Sequence, residues 1–159
     1  MKLTREKEIQ YLSNTPLFQN LRSEELKIIS LATENFIYEQ GEVIVNKGDE
    51  GGEAYIIYSG EVEVFSPQEN GKPVILNKLG EGEMFGELAL FGEGFRSASV
   101  KANKETLVGV ISKEKLYEII REFPDIAIQI LKVQTQRFSR TENRLMGLLK
   151  GNAPGLKAP

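Results

Sequence analysis

Glycine recurs every few positions between residues 41 and 82, at Gly41, Gly48, Gly51, Gly52, Gly60, Gly71, Gly80 and Gly82, and this spacing constrains the fold more than any other feature. Each glycine opens turn conformations closed to other residues and weakens a helix interior. The intervals between them are too short for helices and read as strands: Phe36–Tyr38, Val43–Asn46, Ala54–Ser59, Glu61–Phe65, Val74–Leu79, Ser97–Ala102 and Leu107–Ser112. Alternation is clearest in Glu61-Val62-Glu63-Val64-Phe65, where Val62 and Val64 share one face. Many short antiparallel strands without a long intervening helix predict a jelly-roll β-roll over residues 34–112.

Helices flank this β region, so the fold class is mainly β with helices at both ends. Residues 4–33 read as helical: Ile9 and Leu12 share a face, Ser23 is an N-cap with Glu24 and Glu25 in the first turn, and Leu26, Ile28 and Ile29 form an apolar stripe. An apolar elbow, residues 16–21, joins the two helical segments. Residues 113–150 form two C-terminal helices. Ser112 caps the first, which runs through Phe123, and Pro124 ends it and opens the second. That second helix carries Ile126, Ile130, Val133, Phe138, Leu145, Leu148 and Leu149, with a polar middle at Gln134, Arg137, Arg140, Thr141 and Asn143. One domain over residues 1–150 is expected, with 151–159 a flexible tail.

Composition excludes several chemistries. The 159 residues contain neither cysteine nor histidine. Disulfides, thiolate catalysis, Ser-His-Asp triads and His- or Cys-ligated metals are therefore ruled out. Carboxylate-only catalysis is left with nothing in the spacing to support it, because 23 acidic residues produce close pairs by chance. A net charge of −3 creates no global field for nucleic acid or anionic membrane. The N-terminus has no signal-peptide pattern and no apolar run can span a bilayer, so a cytoplasmic location is expected.

The chemistry concentrates in Met84-Phe85-Gly86-Glu87-Leu88-Ala89-Leu90-Phe91 and the following Arg96-Ser97-Ala98-Ser99-Val100. Gly80-x-Gly82-x-x-x-Gly86 is neither a dinucleotide fingerprint nor a P-loop, and on its own would mark ordinary turns. Alone, Arg96 would be a surface or ion-paired arginine and Glu87 a helix-start acid. Together, helix-start amides and a guanidinium fork can hold an anion while a carboxylate accepts from a sugar hydroxyl.

This run resembles the phosphate-binding cassette of cyclic-nucleotide-binding domains, the family of bacterial cAMP-dependent regulators, kinase regulatory subunits and gated channels. Gly41-Glu42-Val43-Ile44, Lys47-Gly48-Asp49 and Tyr55-Ile56-Ile57-Tyr58-Ser59-Gly60-Glu61-Val62 carry the same likeness, and the elbow at 16–21 resembles the family's N-terminal helical motif. The likeness thus covers nearly the whole chain. It implies that Arg96 binds the exocyclic phosphate oxygens and that Glu87 accepts from the ribose 2′-hydroxyl. The amides of Gly86, Glu87 and Ala89 would meet the phosphate. Leu88 belongs to the binding segment, its side chain and that of Leu90 being expected in core or hinge packing. Ser97 either adds an amide and a hydroxyl to the phosphate or is an inert strand residue. Because Ser97 is not threonine, cAMP is expected ahead of cGMP. Arg137, Thr141 and Asn143 either contact the base or form a solvated helix face.

The resemblance further implies a non-enzymatic sensor without cofactor, whose ligand is a cyclic nucleotide and whose output is rearrangement of the helices around Pro124. A homodimer through the last helix is expected, against a monomer in which that helix covers its own barrel. A downstream protein partner is implied but not identified. No helix-turn-helix and no basic recognition helix follow, so a free-standing sensor without direct DNA binding or membrane contact is expected. The alternatives are a sensor for another ligand or an interaction domain with a vestigial site. A jelly-roll enzyme of cupin type is opposed by the missing histidines.

Overall fold

A computed structural model describes residues 3–152. Helix α1 (Arg5–Ser13) starts at Thr4, whose hydroxyl accepts from the Lys7 amide at 3.4 Å, with Glu6 and Glu8 in the first turn. A 3₁₀ turn, Pro16–Phe18, buries Leu17 and Phe18 as the elbow. Helix α2 (Ser23–Ala32) corrects the sequence reading at its start. Arg22, not Ser23, is the N-cap, and the Glu25 carboxylate accepts from the Arg22 amide at 2.7 Å. Leu26 and Ile29 of its stripe are buried, but Ile28 is exposed.

Eight strands follow: β1 (Thr33–Tyr38), β2 (Val43–Val45), β3 (Glu53–Ser59), β4 (Glu61–Ser66), β5 (Val74–Gly80), β6 (Met84–Phe85), β7 (Ser99–Ala102) and β8 (Thr106–Ser112). All seven strands read from the sequence are present, with ends moved by up to three residues. The eighth, β6, was not anticipated; two residues are too short to show alternation. The strands form two antiparallel four-stranded sheets, ordered β1-β8-β3-β6 and β2-β7-β4-β5, which is the jelly-roll arrangement.

Strand β3 is buried on both faces and divides the core in two. Ala54, Ile56 and Tyr58 point to a cluster shared with the helices, including Leu12, Phe18, Leu116 and Ile126. Tyr55 and Ile57 point the other way, into the space between the sheets, with Val62, Leu79, Phe85 and Val100. The period of two is what lets one strand serve both.

Helix α3 (Glu87–Phe91) interrupts the β-roll, and helices α4 (Lys113–Glu122) and α5 (Asp125–Asn152) follow it. Ser112 caps α4 as read, accepting from the Lys115 amide at 3.4 Å, and Pro124 separates α4 from α5. The apolar positions of α5 divide. Ile126 and Ile130 are buried and Val133 packs on the core, whereas Phe138, Leu145, Leu148 and Leu149 are exposed. Gly151 and Asn152, read as the start of a tail, are helical; 153–159 lie outside the described residues. Among the described residues no helix is long and apolar enough to cross a membrane.

A buried polar cluster ties α1 to the roll. The Glu8 carboxylate, 2% exposed, accepts from Thr33 Oγ1 at 2.5 Å and Tyr58 Oη at 3.4 Å and pairs with Arg5 at 3.0 Å. Burial, aided by the nearby Glu8 charge, raises the Tyr58 phenol well above its usual value, and burial with the Glu53 charge pushes Tyr55 up to about 12. Both rings stay neutral in the folded protein while unfolded tyrosine ionises near pH 10. Stability is therefore complete below about pH 10 and falls as pH rises through the folded values, by about 1.4 kcal/mol per unit for each such tyrosine. Urea denaturation at pH 9 and 11 should show this loss, and Tyr58→Phe should lose less than the parent protein. An equal alkaline loss in both would remove Tyr58 as a cause.

Candidate functional site

The site forms where α3, β5 and the β6–β7 segment meet the middle of α5. Gly86 ends β6 in the left-handed region, with φ 82°, and serves as the N-cap of α3. A Cβ there would lie 2.8 Å from Arg96 Nη1 and 3.1 Å from the Tyr55 ring. Glycine is thus required twice over, by conformation and by the nearness of the arginine. The amides of the first turn of α3 have no partner inside the helix.

Arg96 is 6% exposed, and the backbone around it is pinned. Its amide donates to Asp49 O at 2.8 Å and its carbonyl accepts from the Gly48 amide at 2.9 Å. Nη1 donates to Glu53 O at 2.9 Å and to Gly86 O at 3.0 Å. Behind the guanidinium lies the Tyr55 ring, 5.6 Å from centroid to Cζ and itself stacked on Phe85 at 4.8 Å. Its nearest carboxylate is Glu53 Oε2, 3.8 Å from Nη2, on a half-exposed side chain. The Nε–Nη2 edge makes no hydrogen bond to the described residues. That edge is the fork that fits two oxygens of a carboxylate or phosphate.

Glu87 faces the same cavity from the start of α3 and is 2% exposed. Its Oε1 pairs with Arg137 Nη1 of α5 at 3.1 Å and accepts from Gln134 Nε2. Its Oε2 is buried without a partner, as is Arg137 Nε. A buried carboxylate oxygen left unpaired is costly unless something donates to it. Arg137 also donates to Met84 O and lies 3.9 Å from Glu83 Oε1, so one guanidinium fastens α5 to both β6 and α3.

Between these charges lies a cavity of about 440 Å³, within the range of small-molecule sites. Gly86, Glu87, Leu88, Ala89, Arg96, Ser97, Arg137 and Thr141 all line it, so of the residues singled out as ligand contacts the structure brings together all but one. Asn143 does not line it. Leu90 is core, as expected, but Leu88 is a correction: its side chain is 54% exposed at the cavity mouth, because α3 turns that face away from the roll. Val45, Val64, Leu76, Leu79, Val100 and Phe138 supply the apolar wall.

Sequence reading missed Gly51, Glu53, Tyr55, Asn77 and Gln134 as site residues. They reach the site from distant strands, from the loop before β3 and from α5, and only Gln134, within the polar middle of the last helix, carried a local signal. Gly51 is the clearest case: a Cβ there would lie 2.5 Å from Ala89 Cβ and 2.8 Å from Arg96 Nε.

Comparison with known proteins identifies the family. The family model for the cyclic nucleotide-binding domain matches residues 36–123, and the chain belongs to that family. It is 32% identical to the cyclic AMP receptor protein of Thermus thermophilus over 84% of this chain and 62% of the relative. It is 33% identical to the cAMP-dependent protein kinase regulatory subunit of Dictyostelium discoideum, over 79% of this chain and 42% of the relative. The chain therefore spans less than two thirds of either relative. The crystal structure of the Thermus thermophilus catabolite activator protein superposes with a TM-score of 0.75 at 33% identity, covering 84% of this chain and 63% of that one.

The crowding at Gly51 is directly testable. Gly51→Ala should destabilise the protein by about 1–3 kcal/mol, the usual cost of overpacking, because the added methyl would lie 2.5 Å from Ala89 Cβ and 2.8 Å from Arg96 Nε, and both must shift. Urea denaturation reads this as a lower midpoint with an unchanged slope. An unshifted midpoint would mean that Ala89 and the Arg96 side chain both yield without cost.

Proposed function

We propose that this chain is a non-enzymatic sensor module that binds a purine 3′,5′-cyclic nucleotide, cAMP ahead of cGMP, and transmits occupancy through α5. The observation that carries this reading is the pairing of two unspent groups on one cavity. Arg96 offers a free guanidinium edge and Glu87 offers a buried acceptor oxygen. A ligand bearing one anionic phosphate beside a hydroxyl donor satisfies both at once. A cyclic phosphodiester carries a single negative charge, which one guanidinium neutralises. The amides of Gly86, Glu87 and Ala89 would add donors, and these residues line the cavity together with Ser97. Relatives named for cAMP support the same ligand class.

Coupling follows from what already touches α3. Tyr117 of α4 donates to Leu90 O at 2.7 Å, and Arg137 and Gln134 of α5 hold Glu87. Ligand that draws α3 inward therefore acts on the helices on both sides of Pro124. Only a difference in affinity between two helix arrangements can drive such a switch. The exposed Leu145, Leu148 and Leu149 of α5 are the natural contact for a second copy across a two-fold axis. Single-sided helix burial without self-association is the competing outcome, and sedimentation as a monomer with and without ligand would establish it.

Calorimetry with cAMP and cGMP is the first test, and saturating titrations without heat for either would end the proposal. Arg96→Ala should lose several kcal/mol of binding, as when a buried charge is left without its partner. Glu87→Ala should lose less, about 1.5–3 kcal/mol for one charged hydrogen bond. Equal losses would contradict the assigned roles. Amide exchange over residues 125–149 should change on adding cAMP; identical protection would make α5 a structural cap only.

A further inference from the structure

Arg137 lines two cavities. Its Nη1 pairs with Glu87 in the larger one, while Nη2 donates to Met84 O and lies 3.9 Å from Glu83 Oε1. Glu83 and Met84 line the second cavity, of about 130 Å³, which lies between the elbow, the β5–β6 turn and α5. Gly82 holds that turn against the elbow. Its φ is 80°, and a Cβ there would lie 3.3 Å from both Asn14 O and Pro16 Cδ. The cavity has an apolar part: Leu17 and Met84 are buried and Val133 packs on the core.

Its polar groups are of two kinds. Glu83 is already engaged, since Oε2 accepts from the Gly80 amide at 2.9 Å and Oε1 faces Arg137. Arg137 is engaged with Glu87 and Met84 O. Gln136 and Arg140 are different. They lie four residues apart on one face of α5, both exposed, and among the described residues neither side chain makes a hydrogen bond or an ion pair. A free arginine on open surface is ordinary. At the rim of an apolar hollow, with an amide one turn away, it is the head-group half of an amphiphile site.

We propose that this second cavity is a regulatory site for a small organic monoanion, a short-chain carboxylate. Its head meets Arg140 and Gln136, and its chain lies on Leu17, Met84 and Val133. Size sets the chain length: a cavity of about 150 Å³ takes a six-carbon ring, so this one fits a carboxylate of about four to six carbons. Charge sets the class. A phosphate dianion would bring two charges to one free guanidinium, beside the Glu83 carboxylate, whereas a carboxylate brings one. The regulatory clause rests on the reading of the larger cavity as a cyclic-nucleotide site. Two anions on either side of Arg137 repel each other and share its charge, so each weakens the binding of the other, by the same factor in both directions.

The test is titration of the full chain with sodium butyrate, followed by the amide NMR signals of Leu17, Gly82 and Val133, with sodium chloride at equal ionic strength as the control. Butyrate should give saturable shifts at these amides and chloride none. Arg140→Glu, on an exposed position, should keep the thermal midpoint and lose the shifts, and Arg140→Lys should retain weakened binding. Saturating butyrate should also raise the cAMP dissociation constant about fivefold, the lower end of the usual coupling range, in the parent and not in Arg140→Glu. Absent or unsaturable shifts, or shifts equal with chloride or in Arg140→Glu, overturn the site. Saturable, Arg140-dependent binding that leaves cAMP affinity unchanged overturns its regulatory role. A parent that binds butyrate but no cyclic nucleotide overturns the reading of the larger cavity and the coupling with it, while the carboxylate site stands.

Discussion

Glu87 brings a carboxylate into a place almost without water, and the arrangement of the site follows from how that charge is met. Desolvating an ion costs several kcal/mol unless an opposite charge and hydrogen bonds replace the lost water. Among the described residues only α5 supplies them, through Arg137 and Gln134. The ion pair therefore does two things at once: it makes the buried acid tolerable, and it fixes the middle of a long helix over the mouth of a β-roll cavity.

Arg96 solves the opposite problem by different means. Its guanidinium is held by two backbone carbonyls and an aromatic face rather than by a close carboxylate. Carbonyl acceptors orient the fork without neutralising it, so positive potential remains at the cavity wall. Had an acid been placed within 3 Å, the same arginine would be satisfied and of little use to an anion. Glu53, at 3.8 Å on a half-exposed side chain, is too distant and too well solvated to cancel it. The surrounding glycines, Gly51 and Gly86, leave the space in which this geometry is possible.

The strands were legible because alternation and glycine spacing are local signals, and all seven anticipated strands exist. What escaped was set by contacts between distant parts of the chain. Strand β6 is two residues long and is defined by its pairing with Tyr55 and Ile56 rather than by any pattern of its own. The N-cap of α2 moved to Arg22 because the reciprocal acid, Glu25, mattered more than the serine hydroxyl. Leu88 looked like core from its composition, but on a five-residue helix one turn decides which leucine is buried, and that is Leu90. The cassette residues were readable because they are close in sequence; Glu53 and Asn77 join them only when β3 and β5 are folded beside β6 and α5.

Helix α5 has a property that comes from its length alone. Its 28 residues extend about 42 Å, and Arg137 lies about 18 Å from the Pro124 end. If Pro124 is the fulcrum, the helix is a lever whose load arm exceeds its effort arm more than twofold. A displacement of about 1 Å at Arg137, the scale of a hydrogen bond exchanging partners, becomes more than about 2 Å at Asn152. Mechanical gain of this kind costs force at the far end, so whatever the tip moves must be held weakly. The exposed leucines there, small in contact area and solvated on most sides, are the sort of load such a lever can shift.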